Sequence, residues 1–115
     1  MKKYMLGLGV AVSFISVLLP GLGSSQASED FKIVIKDHQF EPSELVVPSQ
    51  KKLEILVENQ DPSREKFYSY ELHREKVISG NDKATIIIGP LRPGTYKYEG
   101  YYNSKTAHGT IIAKD

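Results

Sequence analysis

The stretch Pro93-Gly94-Thr95-Tyr96-Lys97-Tyr98-Glu99-Gly100-Tyr101-Tyr102-Asn103-Ser104-Lys105-Thr106-Ala107-His108-Gly109-Thr110-Ile111-Ile112-Ala113 decides the fold. It starts on a Pro-Gly break, alternates from Thr95 to Tyr102, and closes on the strand-forming run Thr110-Ile111-Ile112-Ala113. Alternation with a period of two marks a strand with one buried face. Tyr96, Tyr98 and Tyr102 share one parity, and Tyr96 and Tyr98 are expected in the core. Tyr101 falls on the other face, with Glu99 and Lys97.

The same pattern recurs upstream. Phe31, Ile33 and Ile35 alternate with polar residues, as do Leu53, Ile55 and Val57. Leu45-Val46-Val47, Phe67-Tyr68-Ser69-Tyr70, Lys76-Val77-Ile78 and Ala84-Thr85-Ile86-Ile87-Ile88 are further short strand candidates, separated by Gly, Pro, Asn and Asp clusters. No segment after residue 27 carries a helical period. About seven short strands with regular turn signals predict an all-β, Greek-key β-sandwich.

Composition narrows the possibilities. The chain has 115 residues, enough for one domain, with no cysteine and no tryptophan. There is therefore no disulfide, no thiolate ligand and no cysteine nucleophile. A formal charge of +1 gives no basic field for nucleic acid, and none is expected as a partner.

Residues 1–27 read as a signal peptide: Lys2 and Lys3, then 15 uncharged residues from Met5 to Leu19, the break Pro20-Gly21, and Ser25 and Ala27 at the −3 and −1 positions. The apolar run is short for a spanning helix, which needs roughly 20 residues. No cysteine follows it, so no lipoprotein anchor is expected, nor a stable membrane anchor after cleavage. The mature domain is then 28–115, with 13 basic and 14 acidic residues, a net charge of −1. Localisation in the periplasm or outside the cell follows.

The order of turn motifs resembles the cupredoxin superfamily. Asp37-His38-Gln39-Phe40-Glu41-Pro42 with Leu45-Val46-Val47-Pro48 is similar to its opening. Asn59-Gln60-Asp61 is similar to the loop carrying its first copper histidine. Pro93-Gly94-Thr95-Tyr96-Lys97-Tyr98 resembles the strand leading into its copper loop, and His108-Gly109-Thr110-Ile111-Ile112 its closing strand. Within the superfamily, Phe67-Tyr68-Ser69 with Leu72, Glu75, Lys76 and Val77 resembles the pattern of EfeO-type cupredoxin-like domains, which are associated with bacterial periplasmic iron and copper uptake.

The resemblance implies a copper loop of the form Cys-x₂-His-x₄-Met, whose positions here read Gly100, Asn103 and His108, with the upstream histidine position near Arg64 or Glu65. Type 1 copper requires a His₂Cys site, so a blue-copper electron carrier is excluded. Cysteine-free EfeO-type members carry one glutamate in a Phe-Glu-Ser motif and another in a Gly-Glu-Phe motif. Tyr68 and Tyr101 stand at those positions. Two tyrosines there imply either a phenolate site suited to ferric iron or plain packing, because a phenol with pKa near 10 is a weak ligand.

The metal-ligand candidates are His108, Glu65, Glu99 and His73, with Glu71, Glu75, Tyr68 and Tyr101 as second-rank candidates. If the segment is a strand, Glu71, His73 and Glu75 share a face at i, i+2 and i+4, and Leu72 points inward. His38 is expected as a surface histidine, Gly109 as part of the turn into the last strand, and Arg64-Glu65-Lys66 as a solvated run. No nucleophile–base pair, CxxC or HExxH is present, so no catalytic residue and no enzyme are expected. The functional expectation is an exported accessory protein handling Cu(II) or iron for a membrane metal-uptake system or another periplasmic protein. The alternative is a metal-free β-sandwich interaction module, with Tyr68, Tyr70 and Tyr101 as its partner surface.

Overall fold

A computed structural model describes residues 31–115, and the expected signal peptide and its cleavage point lie outside the described residues. Nine strands form two facing sheets: β1 Phe31–Lys36, β2 Gln39–Glu41, β3 Glu44–Pro48, β4 Leu53–Asn59, β5 Glu65–Ser69, β6 Arg74–Ile78, β7 Asp82–Ile88, β8 Gly94–Gly100 and β9 His108–Lys114. Eight of them are the runs read from the sequence. The ninth, β2, is three residues long and folds back on β1.

One sheet has the order β2-β1-β4-β7, the other β3-β9-β8-β5-β6. β1 pairs parallel with β4 and β3 parallel with β9, while the remaining pairs are antiparallel. The two parallel pairs arise because β2 and β3 carry the chain from the first sheet to the far edge of the second. This is the Greek-key β-sandwich expected from the turn spacing.

The inward residues are those the alternation marks. Ile33 and Ile35 of β1, Leu53, Ile55 and Val57 of β4, and Ile86 and Ile88 of β7 are buried. They meet Val47, Phe67, Ile78, Tyr98, Ile111 and Ala113 of the second sheet. Phe40, Phe67 and Tyr98 form an aromatic cluster, with Tyr98 stacked on Phe67 at 4.9 Å and edge-on to Phe40 at 4.9 Å. Gly109 lies inside β9 rather than in a turn. The Tyr98 ring covers it so closely that a Cβ there would overlap the ring.

Two expectations about chain path change. Tyr70 to His73 form a turn, not a strand, with His73 in the left-handed region at φ 56°. Glu71, His73 and Glu75 therefore do not share a strand face. Ser69 holds this turn: its hydroxyl donates to the Lys97 carbonyl at 2.6 Å and accepts from the Leu72 N–H at 3.0 Å. Leu72 is buried, as expected. The alternation of β8 also stops at Gly100, and Tyr101–Asn103 form a 3-10 turn.

Candidate functional site

The strands and loops above bring the chemistry-bearing side chains to two places. The first is one end of the sandwich, where the β1–β2 turn, the segment after β4, the β6–β7 turn and the loop between β8 and β9 converge. Asn59 is buried there. Its side-chain amide donates to the carbonyls of Ser63, Ile78 and Ser79 at 2.8, 3.2 and 3.2 Å, and its oxygen accepts from the Asp61 N–H. The Asp61 carboxylate accepts from the N–H groups of Asp37 and His38 at 2.8 and 3.0 Å. These two residues have φ of 53° and 58°, a conformation that the pair of hydrogen bonds holds. His38 stays on the surface, with Nδ1 3.5 Å from the Asp61 carboxylate. Thr106 donates to the His38 carbonyl at 2.7 Å and so ties the β8–β9 loop to the β1–β2 turn.

Glu65 belongs to this end and is not part of a solvated run. It opens β5 and is only 2% exposed. Oε1 accepts from the N–H groups of Lys66 and Tyr102 at 2.8 and 2.9 Å, and Oε2 accepts from Asn103 Nδ2 at 2.6 Å. Gly100 packs against it: a Cβ at Gly100 would stand 2.8 Å from the Glu65 carboxyl carbon and 2.7 Å from Ala107 Cβ.

The second place is the outer face of the five-stranded sheet. Cross-strand register puts Glu75 opposite Tyr68, Tyr68 opposite Glu99, and Glu99 opposite His108. Directly opposite residues have Cβ atoms roughly 4.5–5.5 Å apart, so this row is continuous. The next row runs from Lys97 to Thr110 to Glu44. Tyr68, Tyr70, Glu71, Lys97, Glu99, His108 and Glu44 line a groove of about 660 Å³ on this face. Tyr70 is 76% and Tyr101 54% exposed, and the Tyr68 and Tyr101 rings meet edge-on at 5.7 Å. The two positions equated with carboxylates by the EfeO-type resemblance thus come together in space.

Several groups on this face already have partners. Glu71 accepts from the Lys97 N–H at 2.6 Å, where β5 has ended and left the edge of β8 open. Glu75 pairs with Lys66 at 2.8 Å and holds that ammonium pKa above its usual value. Lys66 also lies 4.9 Å over the Tyr101 ring, and the Arg64 guanidinium 5.3 Å over Tyr102. Glu44 and Glu99 form no ion pair or side-chain hydrogen bond among the described residues.

The leading ligand candidates therefore divide three ways. Glu99 and His108 face each other in the groove, Glu65 lies buried beneath the β8–β9 loop, and His73 sits on the β5–β6 turn with its ring 6.0 Å from that of Tyr70. Among the described residues, no group of three or more His, Asp or Glu is placed to hold a metal ion. Glu44, Asn59, Asp61 and Asn103 had not been singled out as contributors to either place. Asn59-Gln60-Asp61-Pro62 carried a turn signal that points to the capping role of Asn59 and Asp61, whereas nothing local marks Glu44.

A two-sheet Greek key with a loop crossing one end is the architecture of cupredoxins, and the comparisons agree. The model of the cupredoxin-like domain family matches residues 9–113, and the chain belongs to that family. An uncharacterised protein of Rickettsia prowazekii (strain Madrid E) is 41% identical over 86 residues, covering 75% of this chain and 69% of that one. Auracyanin A, a "blue" copper protein of Chloroflexus aurantiacus, superposes with a TM-score of 0.62 at 14% identity, over 76% of this chain and all of that one. The metal-binding domain of the Cu(I)-exporting P-type ATPase CopA of Streptococcus pneumoniae D39 superposes with a TM-score of 0.66 at 14% identity, over 81% and 92% of the two chains.

A type 1 copper centre does not fit these residues. The position that the resemblance equates with the thiolate is Gly100, against which the Glu65 carboxylate and Ala107 pack. The second histidine position is Asn103, whose amide nitrogen donates to Glu65. His108, at the methionine position, is exposed on the outer face, and the residue pointing inward is Ala107.

Proposed function

We propose that this protein is an exported, periplasmic binding protein of the cupredoxin-like family that works without a metal centre, through the groove across β5, β8 and β9. The observation that carries this reading is the juxtaposition of the half-buried Tyr68 and the exposed Tyr70 in the groove with the carboxylates of Glu44 and Glu99, neither of which forms an ion pair among the described residues. Aromatic faces attract cations and carboxylates pair with them, so the occupant is an extended basic segment of another protein. Export is supported by Lys2-Lys3, the uncharged run Met5–Leu19 and the small residues Ser25 and Ala27.

The test is fluorescence anisotropy with labelled lysine- and arginine-containing peptides and acidic controls. Basic peptides bind, Glu99→Gln and Tyr68→Ala each weaken binding about tenfold, and acidic peptides do not bind. Equal binding of both peptide sets, or no effect of either substitution, overturns the reading.

A second reading, handling of copper or iron for a membrane uptake system as in the EfeO-type family, rests on the Glu99–His108 pair beside Tyr68. Imidazole, carboxylate and phenol suit Cu(II) or ferric iron, and the neighbours named for copper lend it weight. It predicts calorimetric binding of Cu(II) or Fe(III) at micromolar or better affinity that His108→Ala abolishes. That result would displace the metal-free reading.

A further inference from the structure

The misfit between these residues and a type 1 centre has a positive side. A carboxylate that is 2% exposed and forms no ion pair among the described residues must have a reason to stay there, because removing its solvation is costly unless donors replace water. Here the replacement is complete: two backbone N–H groups and one side-chain amide converge on the two Glu65 oxygens. Tyr102 and Asn103 lie in the β8–β9 loop, 37 and 38 residues beyond Glu65, so the carboxylate fastens that loop to the start of β5. By position, these are the segments that supply copper ligands in family members with the full set. Gly100 completes the exchange, since a side chain there would meet the carboxyl group at 2.8 Å.

We propose that the Glu65 carboxylate takes the place of a metal ion in this chain: with Asn103 and Gly100 it forms a hydrogen-bonded lock that fixes the β8–β9 loop in the absence of any metal. The lock is independent of what the outer groove binds, because Glu65 does not line that groove.

The experiment has two arms. In the first, the full protein is dialysed against a chelator and melted alone and with Cu(II) or Zn(II) added. A metal that tightened the native loop would raise Tm. The expected result is the same Tm, within about 1 °C, with and without chelator, and with either stoichiometric ion once His108→Ala has removed the imidazole of the groove. In the second, donor and acceptor are exchanged. Asn103→Asp alone sets two carboxylates together and lowers Tm by about 5 °C or more, whereas Glu65→Gln alone lowers it less, because the Asn103 amide can turn over and accept from the new amide. Glu65→Gln with Asn103→Asp restores the bond in the opposite direction, recovers most of the loss, and returns slow exchange to the Tyr102 amide.

A Tm that drops on chelation overturns the proposal, and so does a Tm that stoichiometric metal still raises in His108→Ala. So does a double substitution whose losses simply add. The chelator arm needs no variant, so it decides even if the single variants fail to fold.

Discussion

The two places where polar side chains gather are opposites in how they satisfy them. At the loop end, Asn59, Asp61 and Glu65 are nearly fully buried, and each side chain has at least one partner on another segment. On the outer face, Glu44 and Glu99 form no ion pair among the described residues, and the rings of Tyr70 and Tyr101 stand open to solvent. A closed network rigidifies its surroundings and leaves no capacity for a ligand, whereas an open face with unspent donors and acceptors keeps that capacity. In this chain, then, the loop end is built as architecture, and the sheet face keeps the open polar groups on which the proposed recognition rests.

Substitutions can break that contrast. The largest effect is expected for Glu65→Ala, which removes the buried acceptor of three part-buried donors and costs about 3 kcal/mol in denaturant unfolding. Asn59→Ala removes four hydrogen bonds at the same end, and a loss of about 2–3 kcal/mol is expected from the same measurement. A smaller, pH-dependent effect belongs to Tyr98. Its hydroxyl is buried without a hydrogen-bond partner among the described residues, and burial pushes its pKa well above the usual phenol value. The folded state therefore holds this proton more tightly than the unfolded chain. Stability is complete below pH 10 and falls above it, by at most about 1.4 kcal/mol per pH unit. Tyr98→Phe removes that alkaline slope and leaves stability at pH 7 within about 1 kcal/mol, which urea melts at pH 7 and above pH 10 would reveal. The smallest stability change is expected on the open face, where Glu99→Gln and Glu44→Gln shift unfolding by less than about 0.5 kcal/mol. A large loss there would mean that the groove is part of the scaffold.

The core strands were legible because burial on one face imposes a period of two. β1, β4 and β7 read directly from Ile33 and Ile35, from Leu53, Ile55 and Val57, and from Ile86 and Ile88. The turn Tyr70–His73 was not legible, because polar alternation across Glu71, His73 and Glu75 looks the same in a turn as in an exposed strand. What decides it is Ser69 binding Lys97, a contact across 28 residues. Glu65 is the sharper case. A glutamate between Arg64 and Lys66 looks solvated, and its burial depends on donors supplied by the β8–β9 loop. The groove was partly legible: parity put Glu99 and Tyr101 on one face, but the pairing of β5 with β8 was needed to bring Tyr68 to them.

The parallel pairing of β3 with β9 also governs how the chain becomes a sandwich. Among the described residues β3 is an edge strand that pairs with β9 alone, and Glu44 meets Thr110 of the last strand, 66 residues on. Until then Leu45-Val46-Val47 is an uncovered β-branched segment, the kind of sequence that recruits other chains. Pro48 ends it, and Lys51 and Lys52 follow within a few residues, placing a missing donor and two charges where an intermolecular sheet would otherwise extend. Contacts so distant in sequence slow folding, so the time spent waiting for β9 is the interval in which those three residues protect the chain.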